Sequence, residues 1–474
     1  MKRLSGMDAM LLYTETPNVH MHTLKVAIID AAEFDGLFTF EVFCRALQRR
    51  MHLLDPLRYQ LVDIPLSMHH PMWQENCPVD FDYHVRRLAI PRPGGRRDLN
   101  QVVGEIASAP LDRSRPLWEL YYAEQLAGDR VAVIVKVHHA LADGVASANL
   151  LGRLLDLQGQ PQNERDLHPS DSRPTAAELL LAAGRDHLHH IARLPGVITD
   201  AVRGFSRVRR RSNERGDNPD LASIFAVPDT FLNHILAPGR TFATATLALT
   251  DVKHTSKCLG VTLNDVILAM TAGALRDLAL RYDGRAGEPL VAAVPVSIDG
   301  SSARVSGNQL SGLLVSLPVH VADPMQRVRL ISASTAIAKE HYRLLGPELP
   351  GRMMAYMPPP LASAVFRRQA YKRDPTRTMN VSVSNVPGPR SRGHIAGAPV
   401  NEIYSVGPLI AGCAVNITVW SYVEQINISV LSDDITFGDT HEVTDAMSRA
   451  FVEIRRAAGL DAKLSMINNA MEPA

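Results

Sequence analysis

Two adjacent histidines followed by Asp-Gly are the residues of this chain best suited to chemistry: His138-His139-Ala140-Leu141-Ala142-Asp143-Gly144. An imidazole titrates near pH 6.5 and can therefore act as a general base at neutral pH. In a cleft that holds a hydroxyl and an activated acyl group, it would remove the hydroxyl proton as the oxygen attacks. Two other pairs, His69-His70 and His189-His190, are not followed by Asp-Gly. The signal is thus the seven-residue pattern and not the pair.

The flanking sequence predicts that this motif lies between a strand and a helix. Val131 to Val137 is apolar and β-branched except for Lys136, which predicts a buried strand, and Val145 to Leu157 has a helical pattern. This context favours catalysis over the usual interpretation of a buried histidine as a core residue. Asp143 either caps the helix or pairs with an arginine, or else it orients His139 in a triad, and the context favours the structural role. Gly144 would allow close packing or an unusual backbone angle.

Nothing else in the chain predicts a nucleophile or a metal site. No Gly-x-Ser-x-Gly elbow occurs. The four cysteines lie far apart and form no Cys-x-x-Cys, so we expect reduced thiols in a cytosolic setting and no metal. They are Cys44, Cys77, Cys258 and Cys413.

Length and charge bound the possible functions. The 474 residues are 46% hydrophobic, enough for two or three domains, and 50 basic residues nearly balance 49 acidic ones. This balance gives no reason to expect a nucleic-acid partner. The N-terminus lacks a sustained apolar core, and no apolar run approaches the roughly 18 residues of a membrane span. We expect a cytoplasmic protein that contacts membranes only peripherally, at the inner membrane or at lipid inclusions.

The patterns divide the chain into two α/β units and a connector. We assign residues 1–157 to an N-terminal domain, 158–235 to a linker with a connector helix, and 236–474 to a C-terminal domain. The polar stretch Gln158 to Thr175 predicts a linker, and Ala176 to Val208 predicts a helix that Pro195-Gly196 should kink or split. The basic run Arg207 to Arg211 is either a solvated helix end or part of an amphipathic segment on an anionic membrane or lipid-droplet surface.

In the second unit, the clearest element is a helix over Thr262 to Tyr282, since Thr262 and Asp265 have the spacing of a capping box. That cap is a structural explanation for the dipeptide Asn264-Asp265. Asn380 to Ser384 predicts a strand, closed by a turn at Asn385 to Pro389. Other predicted strands and helices of this unit are Thr241 to Leu249, Leu290 to Ser297, Leu313 to Val319, Asp323 to Tyr342, Val415 to Tyr422, Gln425 to Ser432 and Phe437 to Ala458.

Several short motifs, in a fixed order, carry a resemblance to a known family. They are Leu4-Ser5-Gly6-Met7-Asp8-Ala9, Met21-His22, Arg113 to Glu119 with its Pro-Leu-Trp, His138 to Gly144, Asn264 to Ala269, Pro295-Val296-Ser297, Gly307-Asn308, Ser384 to Pro389, and Asn416-Ile417-Thr418. With them the chain resembles, over nearly its whole length, the bacterial wax ester synthase/acyl-CoA:diacylglycerol acyltransferases, particularly mycobacterial triacylglycerol synthases. The His-His-x-x-x-Asp-Gly motif alone is shared with chloramphenicol acetyltransferase-like enzymes and condensation domains.

The resemblance implies an α/β fold of two chloramphenicol acetyltransferase-like domains with mixed sheets, joined by a helical connector, with the active site between them. It implies that His139 is the base, while His138, Asp143 and Gly144 shape the loop. Asn264 and Asp265 match the family's second motif and would support the site or bind substrate.

The activity implied is transfer of a long-chain acyl group from acyl-CoA to diacylglycerol, giving triacylglycerol, with no cofactor beyond the acyl-CoA substrate. Two other acceptors stay open: a long-chain alcohol, giving a wax ester, and a specialised polyketide or glycolipid hydroxyl. A non-enzymatic alternative is a lipid-binding scaffold that retains the fold.

Overall fold

Two six-stranded sheets form the framework of the protein. The computed structural model describes residues 1–155, 174–216, 218, 221–222, 227–301, 303–372, 377–467 and 471. Within these ranges a small three-stranded sheet accompanies the two larger ones. The strands are β1 (Lys2–Arg3), β2 (His22–Asp30), β3 (Gln60–Val62), β4 (Met72–Gln74), β5 (Val85–Ala89), β6 (Trp118–Leu126), β7 (Arg130–His138), β8 (Arg240–Ala248), β9 (Leu290–Ser297), β10 (Leu310–Leu317), β11 (Val381–Pro387), β12 (His394–Ile395), β13 (Ala398–Val406), β14 (Val415–Tyr422) and β15 (Gln425–Asp433).

Helices cover the faces of both sheets. They are α1 (Gly6–Tyr13), α2 (Phe40–Arg50), α3 (Phe81–His84), α4 (Arg96–Ser108), α5 (Gly144–Leu154), α6 (Ala176–Arg215), α7 (Leu249–Leu259), α8 (Leu263–Tyr282), α9 (Pro324–Leu345), α10 (Leu349–Met354), α11 (Pro359–Tyr371) and α12 (His441–Ala457), with short 3₁₀ turns at Met51–Leu53, Asp55–Arg58 and Pro65–Ser67. No single described helix is both long and apolar enough to cross a membrane, although α7 and α8, bent by 98° at their junction, would pass together on length and composition.

The first sheet has the order β12-β13-β2-β7-β6-β5 and is antiparallel except for the β5–β6 pair. Its central strand β2 is apolar on both faces. Ala27 and Ile29 belong to the core that includes α2 and α5, whereas Leu24, Val26 and Ile28 belong to the core that includes α4. Because strand residues alternate between faces, helices on both sides bury this strand.

The second sheet has the order β10-β9-β11-β14-β15-β8, with β11 parallel to both of its neighbours. Its core is filled largely by α8, whose residues from Val266 to Leu275 are all buried, together with side chains of α9 and α12. Helix α8 begins as the sequence predicts, since the Thr262 side chain accepts from the Asp265 N–H and Asp265 accepts from the Thr262 N–H.

The two sheets do not divide at residue 236. Strands β12 and β13 come late in the chain yet lie in the first sheet, where β13 pairs with β2. A buried ion pair between Arg96 of α4 and Glu402 of β13, 2.8 Å long, fastens this exchanged strand. The sequence division at 235/236 could not anticipate the exchange, because a strand pattern does not state which sheet the strand joins.

Two local predictions differ from the structure. Helix α6 does not split at Pro195 but continues through it to Arg215. Pro195 is exposed, and so is Ile191, whose carbonyl loses its helical N–H partner, so this carbonyl can bond to water instead. The expected turn at Asn385 to Pro389 begins later, because Asn385, Val386 and Pro387 still pair with β14. The predicted linker over Gln158 to Thr175 lies almost wholly outside the described residues.

Candidate active site

The His-His-x-x-x-Asp-Gly loop leaves the end of β7 and enters α5, as the sequence predicts. Backbone bonds fix its start: the His138 N–H donates to the Leu117 carbonyl over 2.9 Å, and the His139 N–H donates to the Met21 carbonyl over 2.7 Å. The loop is also bonded to residue 307, since the Gly307 N–H donates to Leu141 over 2.7 Å. Residues from three distant parts of the chain therefore hold the loop.

The His139 ring is oriented by Asn308. The two Nδ2 hydrogens of Asn308 face oxygens, Asp8 Oδ1 at 2.7 Å and the His139 carbonyl at 2.8 Å, so the Asn308 Oδ1 must be the atom 2.9 Å from His139 Nδ1. An amide oxygen only accepts hydrogen bonds, and Nδ1 must therefore carry the proton. The second nitrogen, Nε2, is then the basic one, and no hydrogen bond to it comes from any residue that the structure describes.

Asn308 is in turn fixed by Asp8 of α1. The buried Asp8 carboxylate accepts from both the backbone N–H and the side-chain amide of Asn308, over 2.8 and 2.7 Å. Asp8 also closes the capping box of α1 with Ser5. Burial raises the pKa of Asp8, and the hydrogen bonds from Asn308 and Ser5 offset part of that rise. Sequence reasoning quoted both Asp8 and Asn308 as motif residues but gave them no role.

Asp143 is buried, and the hydrogen-bond partners that the structure describes for its carboxylate lie in α5 and between residues 304 and 309. Its carboxylate accepts from the Ala146 N–H as the cap of α5, from the Gln309 N–H, each over 2.9 Å, and from the Arg304 guanidinium over 2.9 and 3.0 Å. The contact on His139 Nδ1 is made by Asn308 instead. These bonds fit the interpretation of Asp143 as a cap and ion-pair partner better than a triad.

Gly144 lets another motif approach the loop. A Cβ at this position would lie 3.3 Å from a methyl group of Val386, tighter than ordinary contact. Val386 belongs to β11 within the Asn-Val-Pro-Gly-Pro segment, and the neighbouring Asn385 side chain lies 3.5 Å from Asn264. The glycine thus permits the two motifs to touch across the sheets.

Asn264 and Asp265 differ in their surroundings. Asp265 is buried, caps α8 and accepts from the Thr335 hydroxyl over 2.8 Å. Asn264 is partly exposed and contacts Asn385. Among the described residues, neither forms a hydrogen bond with His139, so both bear on the position of α8 and β11 and only indirectly on His139.

His138 is buried and is part of a second network. Its Nδ1 accepts from the Ala140 N–H over 3.0 Å, so the proton lies on Nε2, 3.5 Å from Glu15 Oε1. Arg113 holds Glu15 through a 2.7 Å ion pair. Burial alone would raise the pKa of Glu15, but its contacts with His138, His22 and Arg113 outweigh burial and keep that pKa well below its usual range. Sequence reasoning missed Glu15, although Arg113 opens one of the quoted motifs.

The electrostatics keep the His139 imidazole neutral. Burial lowers the pKa of His139, the Asp143 carboxylate opposes that shift, and the charge of Lys25 adds to it. Lys25 is itself buried; its ammonium donates to the Ser405 hydroxyl over 2.6 Å, and burial lowers its pKa to about 8. A neutral imidazole with a free Nε2 can accept a proton at physiological pH.

A cavity of about 360 Å³ reaches the Asn308 side of the site. We call it the inner cavity. A second cavity of about 590 Å³, the outer cavity, is lined mainly by α6, and the two share His190, Arg352 and Ala355. The described residues include no group of three or more His, Cys, Asp or Glu side chains placed to hold a metal ion.

The other histidine pairs meet each other and not the loop. His69 lies 5.0 Å from His187 and 5.5 Å from His190, ring centre to ring centre. Contacts between imidazole rings therefore pack α6 against the segment that precedes β4. Burial lowers the pKa of His69 to about 3.

Family models match both halves of the chain. Residues 4–267 match the wax ester synthase/diacylglycerol acyltransferase catalytic domain, and residues 306–455 match the C-terminal domain of the same family. The chain belongs to the wax ester synthase/diacylglycerol acyltransferase family. It is therefore an acyltransferase.

Similar proteins agree with this assignment. A Mycobacterium tuberculosis H37Rv protein, whose name proposes a diacylglycerol O-acyltransferase, is 54% identical over 474 residues and the full length of both chains. Another from that strain, with the same proposed activity in its name, is 34% identical over 96% of this chain and 90% of its own.

Among solved structures, the wax ester synthase/diacylglycerol acyltransferase of Marinobacter aquaeolei VT8 superposes with a TM-score of 0.69, at 26% identity, over 97% of this chain and all of that one. The first condensation domain of the CDA synthetase gives 0.60 at 16% identity, over 98% and 97%. The expected two-domain, chloramphenicol acetyltransferase-like α/β fold with mixed sheets is confirmed.

Proposed function

We propose that this acyltransferase moves a long-chain acyl group from acyl-CoA to the free hydroxyl of diacylglycerol, with His139 as the general base. The observation that carries the proposal is the hydrogen bond between His139 Nδ1 and Asn308 Oδ1, which assigns the proton to Nδ1 and leaves Nε2 free. The loop around it, fixed at Met21, Leu117 and Gly307, holds that nitrogen in place.

In the proposed reaction, Nε2 takes the acceptor hydroxyl proton while the oxygen attacks the thioester carbonyl. The tetrahedral intermediate then collapses, the carbon–sulfur bond breaks, and the CoA thiolate takes the proton back from the imidazolium. The products are an ester and free CoA, and no acyl-enzyme is formed. Positioned acid–base groups of this kind contribute roughly 10²–10⁴-fold in rate.

Asn308 would support this cycle by holding the ring in one tautomer through both proton transfers. Asp143, His138 and Gly144 would act through the loop: Asp143 by capping α5 and pairing with Arg304, His138 by its bond to Ala140, and Gly144 by admitting Val386. Asn264 and Asp265 would position β11 and α8 against that loop.

Diacylglycerol is preferred as acceptor because the relatives at 54% and 34% identity carry that activity in their names. A long-chain alcohol is the second candidate, since the likeness to the Marinobacter protein, which bears both activities in its name, covers the whole of that chain. Both acceptors are lipids, and we therefore propose a cytoplasmic protein that works at a membrane or lipid-inclusion surface.

Product analysis tests the proposal. Purified chain is incubated with oleoyl-CoA and either diolein or hexadecanol, CoA release is followed, and the lipids are identified by mass spectrometry. We expect triolein as the main product and loss of CoA release in a His139→Ala variant. A specialised acceptor would leave both lipids unesterified while CoA release occurs with another hydroxyl. Full turnover by the variant would refute the base, and no CoA release with any acceptor would favour a lipid-binding scaffold.

A further inference from the structure

The outward face of α6 carries a row of large exposed apolar side chains. We call the row Leu181, Leu188, Ile191, Ile198, Val202 and Phe205 the outer stripe; Leu188 is 71% exposed and Ile191 67%. At 3.6 residues per turn these positions fall on one side of the helix over 25 residues, about 36 Å from the first to the last. An apolar patch of this extent on a protein surface marks a site of interaction.

The opposite face of α6 is already packed against the protein. Leu179 and Ala183 join a small core with Ile64 and Met72, and Gly204 lies against the backbone of Leu345. The end of the helix pairs through Arg211 and Arg215 with Glu340. The helix is thus fixed along its length, and the outer stripe is not needed to hold it.

The charges beside the stripe favour an anionic partner. Helix α6 has eight arginines against four acidic residues, an excess of four positive charges, in a chain whose net charge is +1. Helical geometry places Arg185, Arg203 and Arg210 along one edge of the stripe, and all three are exposed. Neither Arg185 nor Arg203 has a carboxylate partner among the residues that the structure describes. Apolar side chains bordered by arginine fit the interface of an anionic phospholipid membrane.

Helix α6 also forms one wall of the outer cavity. His189, Arg193 and Gly196 of α6 line that cavity, which shares three wall residues with the inner cavity at Asn308. A membrane bound to the stripe would contact the same helix that walls the cavities leading toward Asn308, the residue that orients His139.

We propose that the outer stripe of α6 seats the protein on an anionic phospholipid bilayer, and that the lipid acceptor passes from this bilayer through the cavities beside α6. The seating stands on its own observations, whereas the passage of an acceptor rests on the proposed function.

Vesicle co-sedimentation of the full chain tests the seating. Vesicles of phosphatidylcholine, with and without 30% phosphatidylglycerol, are compared at low and high salt, for the unaltered chain and for Leu188→Glu/Ile198→Glu. The matched control is Leu37→Glu/Ile435→Glu, which places the same charges at apolar positions that are 83% and 63% exposed elsewhere. Circular dichroism melting confirms that each variant folds, and Leu188→Ser/Ile198→Ser replaces the charged variant if that one does not.

We expect the unaltered chain to bind anionic vesicles more tightly than neutral ones, the stripe variant to bind at least tenfold more weakly, and the control to bind within twofold. Turnover of diolein in vesicles should fall with binding, while turnover of dissolved hexanol changes less than twofold. Equal vesicle binding by the stripe variant and the unaltered chain would overturn the proposal. So would a dimer that the stripe substitutions dissociate, because the stripe would then join two copies. Vesicle binding that depends on the stripe, without turnover of any acceptor, would support membrane binding by the outer stripe and contradict the proposed function.

Discussion

His138-His139 and His69-His70 are both adjacent histidine pairs that enter the interior, and they begin alike. In each, Nδ1 of the first histidine accepts from a nearby backbone N–H, that of Ala140 over 3.0 Å and that of His70 over 2.8 Å. They differ at the second histidine. His70 has Tyr13 on Nδ1 and the Ala355 carbonyl on Nε2, whereas His139 has Asn308 on Nδ1 and an open Nε2. We infer that the open Nε2 allows His139 to act as a base, whereas partners on both nitrogens hold His70 in a structural role.

Removing the second histidine of each pair should give the largest difference between the two pairs. We expect His139→Gln to lower kcat/KM by roughly 10²–10⁴-fold, the usual contribution of general-base catalysis. His70→Gln should stay within a few-fold of the unaltered enzyme. CoA release with oleoyl-CoA and diolein measures both, and equal losses would mean that the open Nε2 of His139 does not set the two pairs apart.

The ion pairs beside the two sites should differ in their effect on stability. Arg304→Leu leaves the Asp143 carboxylate buried without its cation, and breaking a buried pair costs about 3–5 kcal/mol. Arg3→Leu removes the ion pair between Arg3 and Asp186, which lies beside His69. This pair is far more exposed than the Arg304–Asp143 pair, and such a pair is worth about 0–1 kcal/mol. Urea unfolding gives both free energies. A loss below 1 kcal/mol for Arg304→Leu would show that this pair does not hold the catalytic loop.

The partner on Nδ1 of each second histidine should also differ in its effect on catalysis. Asn308→Ala frees the His139 ring to take either tautomer, and we expect kcat to fall by at least about tenfold with little change in KM, since only the proton transfer is affected. Tyr13→Phe removes the hydroxyl on His70 and should leave kcat unchanged. A rise in KM alone after Asn308→Ala would instead assign Asn308 to substrate binding.

The buried histidines should also make the stability of the protein depend on acid pH. Burial lowers the pKa of His69 to about 3, and also that of His22 to about 3, whereas both titrate near 6.5 when unfolded. The unfolded chain therefore binds more protons below pH 6.5, and stability is complete above that pH and falls between pH 6.5 and 3. The slope is up to about 1.4 kcal/mol per pH unit for each histidine. Chemical unfolding at several pH values should show a shallower slope for His69→Asn and no change for a substitution of the exposed His254.

The elements of the fold and of the site that neighbouring residues form could be predicted from the sequence. The strand before His138, the cap at Asp143 and the capping box of Thr262 and Asp265 are all formed by residues within a few positions of one another. Short-range patterns report such elements directly, because apolar periodicity and capping residues act within a turn or a strand.

The parts formed by distant residues could not be predicted. Asn308 lies 169 positions from His139, and Asp8 lies 300 positions from Asn308. Both appeared among the quoted motifs, but a motif does not state which other motif it touches. The exchange of β13 into the first sheet belongs to the same class, since its pattern predicts a strand and not its neighbour.

If His139 is the general base, its unprotonated Nε2 accepts the proton of the acceptor hydroxyl. The pH dependence of kcat/KM for diolein, measured with saturating oleoyl-CoA in the unaltered enzyme and in His139→Gln, tests it most directly. Because burial lowers the pKa of His139, we predict a plateau through neutral pH and a fall only below pH 6.5, with the residual activity of the variant showing no such fall. The same acid limb in both proteins, at similar rates, would contradict the claim.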